Sequence, residues 1–232
     1  MSAATFPIRA GTPLRITSRS GRVTVTGEAR DDVLVEKGAS DVRVTSDGVE
    51  VVRASGAVAV RCPRGTDVLV GVASGGVVLA GLLGDSRVTT ESGEISVEEV
   101  TRLDARSRSG SIRVARCAGE CRCRADSGQV RIDEAGSVDV AAASGSVEAG
   151  AVGAASIRAG SGKVTIGLAR GGGDVSVEVH SGSVEITVPP GVRPACDLVS
   201  RSGAVRGDCE PGDDGRIRVR TGSGTVTVRS RG

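Results

Sequence analysis

The chain has 232 residues, 30 basic and 28 acidic side chains, one His, six Cys and a single aromatic residue, Phe6. Lacking ring platforms, it has no means of stacking single-stranded nucleic acid or of anchoring ligands and partners through aromatics. A net charge of +2 gives no long-range steering toward nucleic acid or a membrane surface. No apolar run approaches the ~18 residues of a spanning helix.

The N-terminal residues Met1 to Pro13 contain neither a basic n-region nor an apolar h-region, so no secretory leader is expected. The expected location is the cytoplasm, with envelope association only through a partner. Residues 1–13 read as a cap over an open core, with Phe6 as its apolar lid.

From residue 14 to 232 the chain reads as one repeat domain. Ser-Gly corners recur at Gly21, Gly56, Gly75, Gly93, Gly110, Gly128, Gly145, Gly162, Gly182, Gly203 and Gly224. The gap between Gly21 and Gly56 is double length and holds a degenerate copy with Ala39-Ser40 at its corner. Two residues after each glycine stands Val or Ile: Val23, Val58, Val77, Ile95, Ile112, Val130, Val147, Val164, Val184, Val205 and Val226. Apolar pairs such as Val138/Val140 and Val175/Val177 stand seven and five residues before it. Arg, Asp, Glu, Ser and Thr alternate between them. Period-two alternation over short β-branched segments predicts strands with one buried face.

Each unit of about 18 residues is then strand, corner, strand and link. The apolar phase slips by one residue at the glycine, as a bend requires if the inward face is to stay inward. Stacked identical corners predict an all-β, single-domain parallel β-solenoid of about twelve short rungs, right-handed by the crossover rule. Small core residues suit a narrow column. The final rung, Ser223 to Val228, is expected to leave its last strand unpaired. Only the arginines Arg216, Arg218, Arg220, Arg229 and Arg231 guard that edge.

The motif Ser-Gly-x-Val-x-Val, at Ser109–Val114, Ser127–Ile132, Ser161–Ile166 and Ser181–Ile186, resembles the bacterial β-strand-repeat family often called "putative adhesin". The resemblance spans nearly the whole chain. It implies a repeat fold and a cell-envelope binding role, and it supplies no catalytic residues.

Individual residues add little chemistry. Cys117, Cys121, Cys123 and Cys196 fall on inward phases and lack Cys-x-x-Cys spacing. They read as reduced core residues, with no metal and no cofactor expected; a disulfide such as Cys196 with Cys209 would require an oxidising compartment. His180 lies outward, beside the corner Ser181. Arg206–Asp208 spells Arg-Gly-Asp, the loop from Asp208 to Asp214 is acidic, and Gly171–Gly173 lacks the Lys-Ser/Thr of a phosphate loop. All three read as solvated turns. The one candidate surface is a set of outward arginines, Arg106, Arg108, Arg113, Arg122, Arg124 and Arg131, able to meet an anion or an acidic partner.

These features point to a non-enzymatic scaffold or protein-interaction solenoid, self-associating through its ends. An adhesin-like envelope protein is the alternative, and a polysaccharide-acting enzyme is a more distant one. A protein partner or a second copy is expected, rather than nucleic acid or a small molecule.

Overall fold

The structure is a computed structural model that describes residues 3–8, 11–37, 42–45, 48–207 and 212–230. Every described element is a strand, and the chain groups into two compact units, Met1–Ala118 and Gly119–Gly232. Each unit is built of stacked rungs, the parallel β-solenoid that the repeat predicts.

The first unit contains β1 (Ala4–Pro7), β2 (Leu14–Ser20), β3 (Val23–Glu28), β4 (Asp32–Lys37), β5 (Val42–Thr45), β6 (Gly48–Arg53), β7 (Val58–Pro63), β8 (Val68–Ser74), β9 (Val77–Ser92) and β10 (Ile95–Ser109). β11 (Ile112–Ser127) starts in this unit and ends in the second. The second unit continues with β12 (Val130–Ser144), β13 (Val147–Leu168), β14 (Val175–Val188), β15 (Ala195–Ser202), β16 (Val205–Gly207), β17 (Arg216–Ser223) and β18 (Val226–Ser230).

All eleven corner glycines have positive φ, from 95° at Gly56 to 149° at Gly110. The left-handed region is cheap only for glycine. The stack adds a second constraint. A Cβ on Gly145 would run into the carbonyl oxygen of Gly128 on the neighbouring rung. The corner glycine therefore sets both the bend and the close approach of rungs.

Inward positions are buried as the alternation predicts. Val23, Val77, Ile95, Val130, Val164 and Val226 are all fully buried. Cys62, Cys117, Cys121 and Cys123 lie in the core with them. Cys121 and Cys123 are two residues apart on one face, with their sulfurs 3.8 Å apart.

The order of the rungs departs from the order of the sequence. In the first unit β2 pairs in parallel with both β6 and β8, and β3 with both β7 and β9. The first rung, 14–28, is thus inserted between rung 48–63 and rung 68–83. Rung 48–63 is covered on its far side by reversed strands, with β4 antiparallel on β7 and β5 antiparallel on β6. β1 lies antiparallel on β4, opposing half-buried Phe6 to Val33. The stretch expected to form a degenerate parallel rung in fact supplies β4 and β5, running the opposite way. Its corner, Ala39-Ser40, lies outside the described residues.

The second unit repeats the device. β14 pairs with β17 and β18, and these pair in turn with β15 and β16. The last rung, 216–230, is inserted between rung 175–188 and rung 195–207. The expectation of an unpaired final strand is therefore overturned: β18 has β14 on one side and β16 on the other. Arg231 lies outside the described residues.

Candidate functional site

The rung made by β15 and β16 is the outermost of the second unit. Its strands hydrogen-bond to β17 and β18 on one side, and among the described residues no strand pairs with the other side. The inward rows show what this exposes. Val175 faces Ile217, which faces Cys196, and Val177 faces Val219, which faces Leu198. Val184 faces Val226, which faces Val205. The first two residues of each row are buried, whereas Cys196 and Leu198 are half-buried and Val205 is 43% exposed. Val199, on the outward phase, is 49% exposed. The apolar column surfaces here along an edge that no described strand covers.

The polar residues of this rung are sparse. Asp197 pairs with Arg218 at 3.4 Å, both about half exposed. Arg201 and Arg206 are exposed. Ser200 Oγ donates to the Gly224 carbonyl at 3.1 Å, tying β15 to the rung beneath. Cys196 is disulfide-bonded, which corrects the expectation that it is a reduced core residue. Its partner lies outside the described residues, since Cys62, Cys117, Cys121 and Cys123 are free thiols.

Two shallow grooves run along the second unit beside this rung. One, of about 980 Å³, is lined by Asp139, Ser156, Asp174, Ser176, Arg216 and Arg218 among others. The other, of about 1130 Å³, includes Arg124, Arg158, Glu178, His180 and Arg220. His180 is exposed, and the register places it between Gly160 and Gly222. Ser181 stands in the stacked row with Ser161 and Ser223, a structural position rather than a nucleophile's.

The six candidate arginines fall in both units. In the first, Arg106 is bidentate to Asp104 at 3.1 Å, Arg108 lies 4.0 Å from Glu91, and Arg113 pairs with Glu94. In the second, Arg122 joins Glu120 at 2.8 Å and Asp139 at 3.2 Å. These carboxylates raise its pKa, with the charge of Glu120 the largest cause. Arg131 joins Asp133 at 2.9 Å and Glu148 at 3.1 Å. Arg124 lines the larger groove. Five of the six are committed to carboxylates, mostly on the adjacent rung or two residues away. Such exposed pairs are individually worth ~0–1 kcal/mol, and they leave little unsatisfied cation for a ligand.

The acidic turn is likewise occupied. Asp214 Oδ2 accepts from the Arg193 amide at 2.9 Å, and Asp174 Oδ1 accepts from the Arg216 amide at 2.9 Å. These bonds fasten the links that carry the chain past the inserted rung. Asp208, the acid of the Arg-Gly-Asp triplet, lies outside the described residues; Arg206 and Gly207 belong to β16. At the opposite kind of position, Gly172 simply closes a turn, its amide donating to Ala169 at 3.1 Å. Sequence patterning missed the rung 195–207 as a site, because its Ser202-Gly203 corner and its Val205 match the other rungs, and the loss of the next apolar residue at Gly207 does not show which rung is stacked on one side only.

The profile of the Toastrack DUF4097 family matches residues 10–150 and again 58–229. No curated protein matches the chain. Among solved structures, a "putative cell adhesion protein" from Clostridium sporogenes ATCC 15579 aligns over 99% of both chains at 8% identity, with a TM-score of 0.29.

Proposed function

Because the chain belongs to the Toastrack DUF4097 family, we propose that it is a non-enzymatic β-solenoid acting as a scaffold or protein-interaction module. Rung 195–207 is its docking edge. The observation that carries this reading is the side of β15 and β16 that no described strand covers, where Leu198 is half-buried and Val205 exposed. Strand edges of this kind add a partner strand unless they are blocked. A catalytic reading has less support, since outward carboxylates such as Asp104, Asp139 and Glu148 are held by arginines.

The test is the mass of the native protein in gentle extracts, compared between the unmodified chain and Val205→Pro. Proline removes a strand donor and stiffens the edge. A larger assembly that is lost in the variant supports the reading. An assembly indifferent to this substitution, and to Leu198→Lys, places the docking surface elsewhere and overturns it.

The second reading, an adhesin-like envelope protein, is favoured by the disulfide at Cys196. Disulfides persist in oxidising compartments and are rare in the cytoplasm. Cell fractionation separates the two locations: a cytoplasmic chain with Cys196 reduced argues against the envelope reading.

A further inference from the structure

The partner at the docking edge follows from how the fold treats the equivalent edge in the first unit. There, the outermost parallel rung, 48–63, is covered by a rung of the same chain running the opposite way. β4 lies on β7 and β5 lies on β6, so the first strand of the reversed rung meets the second strand of its neighbour. Val42 opposes Val51 and Val35 opposes Val60, so inward residues stay inward. A rung of this cross-section therefore accepts a reversed copy on its face.

Rung 195–207 has the same plan and no such cover among the described residues. We infer that a second copy of this chain supplies the cover, its own rung 195–207 lying reversed on the first about a two-fold axis. This rests on the docking-edge reading above. Reversal places β15 of one copy on β16 of the other, and β16 on β15. Setting Leu198 opposite the partner's Val205 joins the two incompletely buried core positions. The same register then sets Asp197 opposite the partner's Arg206, and Cys196 opposite the partner's Gly207. By symmetry each pair occurs twice, as an isologous contact requires.

The charges favour this register. Asp197 and Arg206 both lie on the outward phase and are exposed. Asp197 already holds Arg218 at 3.4 Å, so the paired edge would carry an Arg–Asp–Arg row across the two copies. Arg201 falls opposite the corner Ser202 rather than another arginine. A face carrying Arg201, Arg206 and Arg218 would otherwise repel its twin. The contact is small, three residue pairs on each side of the axis, which places it at the weak end of protein interfaces. Its strength is expected to fall with salt, because the charge pairs sit at an exposed rim.

The experiment is sedimentation equilibrium of the purified full chain over a wide concentration range, with two single variants. Arg206→Asp gives each copy two acids on the outward edge, and Asp197→Arg gives each copy two bases. Neither touches the core, and circular dichroism checks that both stay folded. The unmodified chain is expected to dimerise, each variant alone to associate at least ~10-fold more weakly, and a 1:1 mixture to recover a heterodimer. A monomer at all concentrations overturns the inference. So does a dimer indifferent to both swaps, or a mixture that stays monomeric. If the purified chain is monomeric while the native assembly still depends on Val205, the docking-edge reading stands and the partner is a different protein.

Discussion

Three residues before the corner glycine lies an inward position that usually takes a small apolar residue or a hydroxyl, Arg53 before Gly56 being the exception. Ala125, Ala142 and Ala159 fill it in the second unit and are buried. Ser18 and Thr221 fill it with a hydroxyl that donates to the carbonyl of the corner serine, Ser20 and Ser223, at 3.1 Å. Thr90 and Ser107 are equally buried, yet their hydroxyls have no partner. A buried hydroxyl without a bond costs ~1–3 kcal/mol relative to a bonded one. Ser107→Ala is therefore expected to leave stability unchanged or raise it by about 1 kcal/mol, while Ser18→Ala lowers it by about 1 kcal/mol. Urea unfolding of both variants checks the contrast, and equal losses would contradict it. The smallness of this position was readable from the repeat. Which hydroxyls find a carbonyl was not, because that depends on the local turn of each corner. A second residue-scale effect comes from Cys62. Burial pushes its thiol up from 9.0 to about 11. The folded state thus favours the protonated thiol. Its contribution to stability is full below about pH 9 and declines as pH rises toward 11. The loss is at most roughly 2–3 kcal/mol, since one pKa unit is worth about 1.4 kcal/mol. Stability measured between pH 8 and 11 should fall for the native chain and fall less for Cys62→Val.

At the scale of the rung, burial follows neighbours rather than sequence. Rungs 175–188 and 195–207 have the same alternation, but only the first is stacked on both faces. Val184 and Val177 are buried, while their counterparts Val205 and Leu198 are exposed and half-buried. In a quasi-one-dimensional stack, a rung with one neighbour has about half the interface stabilisation of an internal one. The disulfide at Cys196 offsets part of that deficit by restricting the unfolded chain. Thiol titration of the denatured, unreduced protein is expected to find four thiols, rising to six after reduction. Reduction, or Cys196→Ser, should speed amide exchange in 195–207 while leaving 130–168 protected. Six thiols before reduction would remove the disulfide from the account. The inward phase of the cysteines was readable from their register with Val and Ala. A bond at Cys196 was legible only as an alternative that depends on an oxidising compartment, because spacing along the chain does not say which sulfurs meet.

At the scale of the whole chain, the sequence specifies the rung far better than it specifies the stacking order. Every Ser-Gly corner presents the same backbone and the same Val row, so any rung can accept any other, and local pattern cannot rank them. A signal for the order does exist in the links. Corners from Gly110 to Gly162 are 17 or 18 residues apart, whereas Gly182, Gly203 and Gly224 are 21 apart. A link that must step over an inserted rung has to cross two rung spacings, about 9.6 Å instead of 4.8 Å. The double-length gap from Gly21 to Gly56 meets the same demand in the first unit. Family membership, drawn from the motif, concerns the rung and is indifferent to this order. Truncation distinguishes the observed order from a sequential one. A chain ending at Gly215 lacks β17 and β18, the only described strands between rung 175–188 and rung 195–207. In the observed order this removes the support of β15 and β16 completely and uncovers β14. Amide exchange should then become fast throughout 195–207 and increase at the face of 175–188, while 130–152 keeps its protection. Under sequential stacking, the same truncation would strip only an end rung, and 195–207 would stay protected against 175–188. Exchange mass spectrometry resolves these outcomes peptide by peptide, and slow exchange in 195–207 of the truncated chain would refute the inserted order.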